Sequence, residues 1–432
     1  MNKFSKTDKC HQTNKLMTCN EKLFKQNSIA SCIILLLFFT SFNAIAQTPI
    51  TLEKSFDVAL ANNAVLKNEK LRTEYQQKLI KSSVNIPATN ILGEYGQINS
   101  SYSDIRLGLS QNISFPKVYK RQKELLTEEL KSSVLNLGIQ ELKLKRQIGH
   151  VFYSLLYLQE KRELLQKADS LFVEFQEKSS LRFKAGESNI LEKTTADNQR
   201  GQIALQLSQL EQDIEIIQLQ FQLLLNSEIS FIPIKNNNSG FSISVIDSLR
   251  SVSHPEIQYW NQQQQIANAV TKLEKSKLSP DFTFGYNLMG MRGMGSDDKI
   301  YNSSPRFHSI QIGLGIPIFN AAQKAKIIAA KTNESITAND FQIKQKDFET
   351  GYKSALMQYE KFEKAVKYLE DSSINKAAIF TSAAKQQFLS GEINYLEWVL
   401  LMNQATQIQS DYIEAIKNRN ISLTELKFYL IK

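Results

Sequence analysis

Cysteine is almost absent from this 432-residue sequence. The three cysteines, Cys10, Cys19 and Cys32, all precede residue 47, so the rest of the chain can form neither a disulfide nor a thiolate metal site. Positive and negative side chains also nearly balance, with only a small positive excess. The formal net charge is +9, and it falls to 46 − 41 = +5 when the six lysines and two acids of residues 1–46 are removed. This excess is too small to indicate a nucleic-acid-binding protein.

Histidines and the motifs of catalysis are equally scarce. The four histidines are His11, His150, His254 and His308, and no two of them have the spacing of metal ligands on a helix. The sequence contains no nucleophile elbow, P-loop or dinucleotide-binding glycine motif. We therefore predict no catalytic residue, no cofactor and no metal site, and we do not expect an enzyme.

The N-terminus has the pattern of a secretory signal peptide. Lys22 and Lys25 precede a long uncharged, apolar stretch, and the triplet Ala-Ile-Ala at 44–46 fits a signal-peptidase cleavage site. We predict that residues 1–46 are a cleaved signal peptide and that the mature chain begins at Gln47. The alternative is an N-terminal membrane anchor that is retained.

Proline is rare, and its eight positions divide the chain. Two stretches, 117–232 and 318–432, contain none and are rich in residues that favour helices. In the first stretch apolar residues recur every three or four positions, as on one face of an amphipathic helix. A helix over 117–184 has 68 residues and a length of about 100 Å. Such a helix predicts a coiled-coil-like or tubular assembly.

A different periodicity precedes each proline-free stretch. Apolar residues alternate with polar or small ones over 105–115 and 309–319, which predicts half-buried strands. Segments 91–98 and 282–288 are predicted to pair with them as two β-hairpins, at about 90–115 and 281–318. Strands of about ten residues with one apolar and one polar side suit a membrane β-barrel. On the polar side lie Arg106, Ser110, Asn112, Ser114 and Gln311.

Two stretches of the chain are copies of each other. "RFKAGESNILEKTTADNQ" (182–199) and "QFLSGEINYLEWVLLMNQ" (387–404) are identical at eight of 18 positions, and each pair is 205 residues apart. Leu-Gly-Leu at 107–109 has Ile-Gly-Leu at 312–314 with the same offset, so the helix between strand and turn must have the same length twice. We predict an internal duplication of the unit helix, β-hairpin, long helix, tight turn, helix. The predicted boundaries are a first repeat at 47–232, a connecting segment at 233–247 and a second repeat at 248–432.

The copied stretches contain the residues of a tight turn between two helices, at 185–189 and 390–394. A glycine suits the left-handed position that ends a helix, and an asparagine three residues later suits the N-cap of the next helix. A glutamate three residues further on completes a capping box. These positions are Gly186, Asn189 and Glu192 in the first repeat and Gly391, Asn394 and Glu397 in the second.

The predicted strands are too few for one chain to form a barrel. Four strands cannot close, because about eight are needed. An open sheet edge cannot lie in lipid, since its backbone groups would remain unpaired. We therefore expect several copies to contribute strands to one barrel, with the helices packed side by side beneath it. The predicted fold class is mainly α with β-barrel strands.

Five segments together resemble one known family: the helical segment 50–69, the motif "HPEIQ" at 254–258, the strand-to-helix junction 313–331 and the two tip motifs at 182–192 and 387–397. On these segments, and over residues 50–432 as a whole, the sequence resembles the TolC-like outer-membrane efflux proteins. The segment 111–125 is most similar to the heavy-metal cation-efflux branch, although Lys117 stands where that branch usually has a glycine.

The resemblance implies a homotrimer with a twelve-stranded outer-membrane barrel and a periplasmic helical tunnel. It implies a passive exit duct, possessing no chemistry of its own, for heavy-metal cations or drugs. An inner-membrane pump of the resistance-nodulation-division type would feed the duct through a periplasmic membrane-fusion adaptor. The polar strand residues would line the barrel lumen, and Glu192 and Glu397 would belong to the gate. The residues of the adaptor-docking tip would be Phe183, Gly186, Glu187, Asn189, Phe388, Gly391, Glu392 and Asn394.

Two alternatives concern function and metal binding. The first is a non-channel periplasmic coiled-coil protein, such as an adaptor or a stalk. Such a protein is expected to flank one helical hairpin with a β-rich domain, whereas this sequence repeats the strand-to-helix unit. The second is a Cu(I) site at Met289, Met291 and Met294, because thioethers are soft ligands. A flexible loop at the mouth of the barrel is the preferred interpretation of these methionines.

Overall fold

The computed structural model describes residues 48–98, 101–235, 253–302 and 304–430. The predicted signal peptide and residues 236–247 of the predicted connecting segment lie outside the described residues. The helices are α1 (Leu52–Asn62), α2 (Ala64–Leu79), α3 (Pro116–Lys184), α4 (Ile190–Leu225), α5 (Pro255–Ser276), α6 (Ala321–Tyr368), α7 (Ile374–Ser390) and α8 (Tyr395–Leu430). The strands are β1 (Thr48–Ile50), β2 (Asn90–Gly96), β3 (Asp104–Ile113), β4 (Phe231–Pro233), β5 (Asp281–Gly290), β6 (Gly293–Met294), β7 (Ile300–Tyr301) and β8 (Pro305–Gly315).

The chain divides into two compact units. The smaller one includes Thr48, Pro49 and Glu228–Ile232, where Thr48 N donates a hydrogen bond to Ser230 O at 2.9 Å. The larger one contains Ile50–Ser227 and the residues from Pro233 onward. It includes all the helices named above and both β-hairpins, so the features relevant to function lie within it.

The long helices confirm the predicted duplication of length. Helix α3 is continuous over 69 residues. In the second repeat α6, a π-helical turn at Leu369–Ser373 and α7 follow one another, and together they span 321–390. The π turn contains Asp371, Ser372 and Ser373, which favour helices less than the Gln-Lys-Ala at the equivalent positions 166–168. No helix in the described ranges has both the length and the hydrophobicity to cross a membrane.

Helices and strands share one linear order. The sheet has the order β2-β3-β5-β8, and neighbouring strands are antiparallel. Next to it α2 packs on α3, α3 on α5, and α5 on α6. Each of these helices is joined in sequence to the strand at the same place in the order. The edge strand β2 is therefore joined to α2 at one end of the helical layer, and the edge strand β8 is joined to α6 at the other end.

The second predicted strand was misplaced. It was predicted over 309–319, but β8 runs from Pro305 to Gly315. Gly315 pairs with Asp281, the first residue of β5, so residues further on have no strand to pair with. Pro317 also lacks the N–H that a ladder requires. The apolar alternation extends past the strand into the segment that leads to α6, where the apolar side chains are exposed and unpaired. The alternation alone therefore did not mark the end of β8.

Candidate functional site

One face of the four-stranded sheet is apolar. Tyr286 in β5 lies opposite Leu109 on one side and Ile310 on the other. These side chains are 42%, 46% and 81% exposed, respectively, so the chain itself leaves this face uncovered. An uncovered apolar face on adjacent strands suits contact with lipid. Its other members are Ile91, Tyr95, Ile105, Leu107, Ile113, Phe282, Phe284, Leu288, Ile312 and Leu314.

The opposite face consists mostly of polar residues and glycines, with Leu92, Met289 and Phe307 as apolar members. Arg106 lies opposite Glu94, and its Nη1 is 2.8 Å from Glu94 Oε2. Asn112 Oδ1 accepts a hydrogen bond from Thr283 at 2.7 Å. The register places four of the five residues predicted for the polar side on this face: Arg106, Ser110, Asn112 and Gln311. Ser114, the fifth, follows the last residue of β3, so the register does not assign it to either face.

Gln111 and His308 are polar residues on the apolar face, where Gln111 lies opposite Phe284 and His308 opposite Leu288. Gln111 Nε2 donates to Pro87 O at 2.8 Å and to Asn112 O at 2.9 Å, and Gln111 Oε1 accepts from Thr89 at 2.6 Å. Both the donor and the acceptor of the Gln111 amide therefore bind partners within the chain. This position, near the helical end of β3, is consistent with the edge of an apolar band.

The two tight turns have the same helix-ending geometry. Gly186 has φ +76° and Gly391 has φ +80°, in the left-handed region predicted for both. Gly186 N donates to Phe183 O at 3.1 Å, and Gly391 N donates to Phe388 O at 3.2 Å. The next residue completes a Schellman motif in each case: Glu187 N donates to Arg182 O at 2.8 Å, and Glu392 N to Gln387 O at 2.9 Å. The Glu187 and Glu392 side chains are exposed.

The N-caps are alike, but the capping boxes are not. Asn189 Oδ1 accepts from Glu192 N, and Asn394 Oδ1 accepts from Glu397 N, both at 2.9 Å. Only in the second turn is the reciprocal bond of the box seen, from Asn394 N to Glu397 Oε2 at 2.9 Å. In the first turn the Glu192 carboxylate lies 3.4 Å from Arg182 Nη1 instead. The two predicted gate glutamates therefore have different partners.

A groove of about 790 Å³ lies at the second turn, and residues of the two helices that flank the first turn complete its lining. Glu192 and Glu397 both line it, although they are 205 residues apart in the sequence. Arg182 also lines the groove. It was not predicted from the sequence, because its contact with Glu192 forms only when the turn folds back. The other lining residues include Lys178, Phe388, Gly391, Glu392, Asn394 and Tyr395.

An aromatic cluster beneath the groove joins the two repeats. Trp398 is fully buried and stacks on Phe175, with the ring centroids 3.5 Å apart. Phe172 contacts Trp398 edge-on at 5.4 Å, and Phe388 contacts Phe175 at 4.9 Å. Phe172 and Phe175 belong to the apolar stripe of the helix predicted over 117–184, whereas their partners on α7 and α8 could not be inferred from periodicity. The cluster fixes the tip of the second repeat against α3.

The histidines of the helical region have structural roles. His254 is buried at the N-cap of α5, where Nδ1 accepts from Glu256 N at 3.2 Å and Nε2 lies 2.9 Å from Phe428 O. Burial lowers the pKa of His254, although the Phe428 carbonyl and Glu256 oppose this shift. His150 Nε2 lies 2.6 Å from Glu425 Oε1, and this contact lowers the pKa of Glu425. Within the described ranges no three acidic or histidine side chains are arranged to hold a metal.

Solved structures with the same architecture are outer-membrane proteins. The Campylobacter jejuni CmeC outer membrane channel matches with a TM-score of 0.75 at 16% identity, covering 88% of this chain and 85% of that chain. The Neisseria gonorrhoeae MtrE outer membrane channel, in its open state, matches with a TM-score of 0.69 at 15% identity, covering 88% of each chain. The outer membrane protein VceC from Vibrio cholerae matches with a TM-score of 0.71 at 12% identity, covering 88% of this chain and 95% of that chain.

The chain thus has the TolC-like fold of outer-membrane channels. This confirms, at the level of the fold, the resemblance that the tip and junction motifs indicated. No family model matches the sequence, and no curated protein matches it either. The fold is therefore recognised from three-dimensional structure, at identities of 12 to 16%.

Proposed function

We propose that this protein is the outer-membrane channel subunit of a tripartite efflux system. It would form a passive exit duct for substrates delivered by an inner-membrane pump and a periplasmic adaptor. The observation that supports this most directly is the four-stranded sheet with one exposed apolar face and one polar face, joined strand by strand to a layer of helices. This arrangement provides a lipid-facing surface, a wet surface and a continuous route away from the membrane.

The two open sides of the sheet support an assembly of several copies, which we propose to be the homotrimer that the sequence resemblance implies. Strands β2 and β8 each have one side without a partner strand in the sheet, and such edges are not tolerated in lipid. Pairing β8 of one copy with β2 of the next around a threefold axis would close a barrel of twelve strands. The same rotation would bring α6 of one copy to α2 of the next. Exposed apolar side chains that this contact could cover are Val65, Leu71 and Tyr75 on α2 and Ile328, Ile336 and Ile343 on α6.

In this assembly the polar face would line the barrel lumen. Arg106, Ser110, Asn112 and Gln311 would contact water in the pore, while Leu107 and Ile312 would face lipid. The predicted signal peptide at 1–46 would direct the chain to the periplasm and then to the outer membrane. We extend the proposal to heavy-metal cations or drugs as substrates, and the sequence resemblance in 111–125 supports the heavy-metal cations.

The adaptor would dock at the two turns. The groove at the second turn has charged side chains of both signs above the aromatic cluster, which suits a polar partner surface. Glu187 and Glu392 remain the docking candidates on each turn, because their backbone closes the Schellman motif while their carboxylates are exposed. The pump, proposed to be of the resistance-nodulation-division type, would lie beyond the adaptor.

Cysteine labelling of the assembled protein tests the assignment of the faces. The predicted mature chain has no cysteine, so single substitutions need no further change. We expect Ser110→Cys and Gln311→Cys to react with a membrane-impermeant thiol reagent, and Leu107→Cys and Ile312→Cys to be protected. Labelling in the reverse pattern would contradict the proposed lumen. Migration as a trimer on unheated SDS gels and conductance in planar bilayers would distinguish the channel from a periplasmic adaptor or stalk.

A further inference from the structure

The loop between β5 and β8 is folded and not merely a connection. Strands β6 and β7 form a small hairpin in it, with Gly293 opposite Tyr301 and Met294 opposite Ile300. Gly295 N donates to Lys299 O at 2.8 Å across the hairpin, and Tyr301 donates to Asp297 Oδ2 at 2.8 Å. The loop lies at the end of the sheet away from the helices. In the proposed trimer this end is the outer mouth.

Two contacts place this loop on the polar face of the sheet. Asp104 belongs to that face, since it alternates with Ile105 and shares a side with Arg106. It is fully buried, and its Oδ1 accepts a hydrogen bond from Arg292 N at 2.8 Å. On the other strand of the loop the Tyr301 ring lies 5.3 Å from that of Phe307.

Phe307 also belongs to the polar face, because it pairs with Met289, which pairs with Arg106. Both strands of the loop therefore lean to the side that the proposed assembly turns toward the lumen.

Further contacts hold the loop in this position. The ladder shifts register between Met289 and Gly290, and such irregularities bend a strand. Gly293 has φ +117°, and an added Cβ there would lie 3.3 Å from the Tyr102 ring. The Arg292 guanidinium lies 5.5 Å from the centre of the same ring. The loop is therefore tied to the other β-hairpin as well as to its own.

The last residue pair of the small hairpin is apolar although it is exposed, while the turn beyond it, at 295–299, carries Asp297, Asp298 and Lys299. Met294 is 67% exposed and Ile300 is 85% exposed, and the two face each other across the small hairpin. We propose that residues 291–302 form a lid over the outer mouth and that Met294 and Ile300 pack against the same residues of the other copies. This inference rests on the proposed trimeric channel. The threefold axis that closes the sheet brings three loops leaning into one lumen towards each other, which supplies a partner for each exposed Met294–Ile300 pair. The resulting hydrophobic collar would restrict water and ions.

Disulfide cross-linking tests the contact between copies. In the cysteine-free mature chain, Met294→Cys and Ile300→Cys should give covalent dimers on oxidation. Ser101→Cys, exposed in the loop of the first hairpin, is the matched control and should give none. Native mass measured on the same samples separates the two proposals. A trimer without cross-links at 294 and 300 would overturn the collar alone, whereas the absence of a trimer would overturn the proposed assembly.

Conductance tests the lid itself. Met294→Ser with Ile300→Ser should raise the single-channel conductance at least about twofold, because a polar collar no longer excludes water. Asp104→Ala should also raise it by releasing Arg292, whereas Asp104→Asn should retain the native value, since its amide oxygen can accept the same hydrogen bond. Native conductance in both the double-serine and the Asp104→Ala channels would overturn the lid.

Discussion

Gln199 of the first repeat donates a hydrogen bond from Nε2 to Asn403 Oδ1 of the second repeat, at 2.9 Å. Duplication makes Asn198 equivalent to Asn403 and Gln199 equivalent to Gln404. The contact therefore joins two positions that are not equivalent, while Asn198 and Gln404 are exposed. The same dipeptide has been placed differently in the two copies, because the helices that carry it approach each other asymmetrically.

Removal of this contact should destabilise the packing of α4 against α8. We expect Asn403→Ala to lower the free energy of unfolding by about 1 kcal/mol, the value of one hydrogen bond in a partly buried site. Asn198→Ala is the matched control and should cause no measurable change. Thermal unfolding followed by circular dichroism measures both. Additive effects of Asn403→Ala and Gln199→Ala in the double variant would show that the two side chains are not coupled.

The left-handed glycines should be intolerant of a side chain. Gly391→Ala should lower the free energy of unfolding by about 1 to 2 kcal/mol, since φ +80° is strained for residues with a Cβ. Gly201→Ala, in the middle of α4 with open space at its Cβ, should instead be neutral or stabilise by up to about 1 kcal/mol. Equal effects of the two changes would contradict the role assigned to the turn.

Proline at the same turns should affect export more than assembly. Gly186→Pro or Gly391→Pro restricts φ to negative values, although both turns require a positive φ at this position. Each change also removes the backbone N–H that donates to Phe183 or Phe388. We expect export to be abolished while trimers still form on unheated gels, because the turns are separated from the barrel by the long helices. Accumulation of substrate in cells measures export, and unheated gels measure trimer formation. Normal export in both variants would refute the assignment of the tips.

Two tyrosines should respond oppositely to loss of the hydroxyl group. Tyr395 is buried beside Trp398, and its hydroxyl has no hydrogen-bond partner among the residues that the structure describes, while burial raises its pKa. Tyr395→Phe should therefore be neutral or stabilise by about 1 kcal/mol. Tyr412 donates to Glu370 Oε1 at 2.7 Å, and burial, together with Glu370, raises its pKa to about 12.

Tyr412→Phe should lower the free energy of unfolding by up to about 1 kcal/mol. Trp398→Ala, which empties the aromatic cluster, should lower it by about 3 to 5 kcal/mol. Denaturant titration of the three variants ranks these effects. A larger loss for Tyr395→Phe than for Tyr412→Phe would reverse the interpretation of the two hydroxyls.

His254 should make stability depend on pH below neutrality. Because burial lowers its pKa below 6.5 in the folded chain, the unfolded chain binds the proton first. The contribution of the neutral ring is therefore complete above pH 6.5 and is lost as pH falls through the lower, folded pKa. His254→Asn retains an N-cap acceptor but does not titrate. The midpoint of thermal unfolding should therefore fall less between pH 7 and pH 5 in this variant than in the unchanged protein. Parallel pH profiles of the two proteins would contradict the prediction.

The duplicated local patterns were the features that the sequence predicted best. Gly186 and Gly391 required left-handed backbone, and a helix without proline could be placed over 117–184 almost to the residue. The weaker predictions concerned partners. Arg182 contacts Glu192 only because the turn folds back, and the apolar alternation over 309–319 could not show that β5 begins at Asp281 and leaves residues past Gly315 unpaired.

The sequence by itself determined the local elements of this protein, because turns, caps and helical stripes depend on residues a few positions apart. It determined the duplication for the same reason, since equal spacing needs no knowledge of contacts. Only the tertiary structure decided the order β2-β3-β5-β8, the pairing of Trp398 with Phe175 and the tilt of the outer loop towards Asp104. These features depend on packing between segments that lie far apart in the chain, where many partners would satisfy the same local pattern.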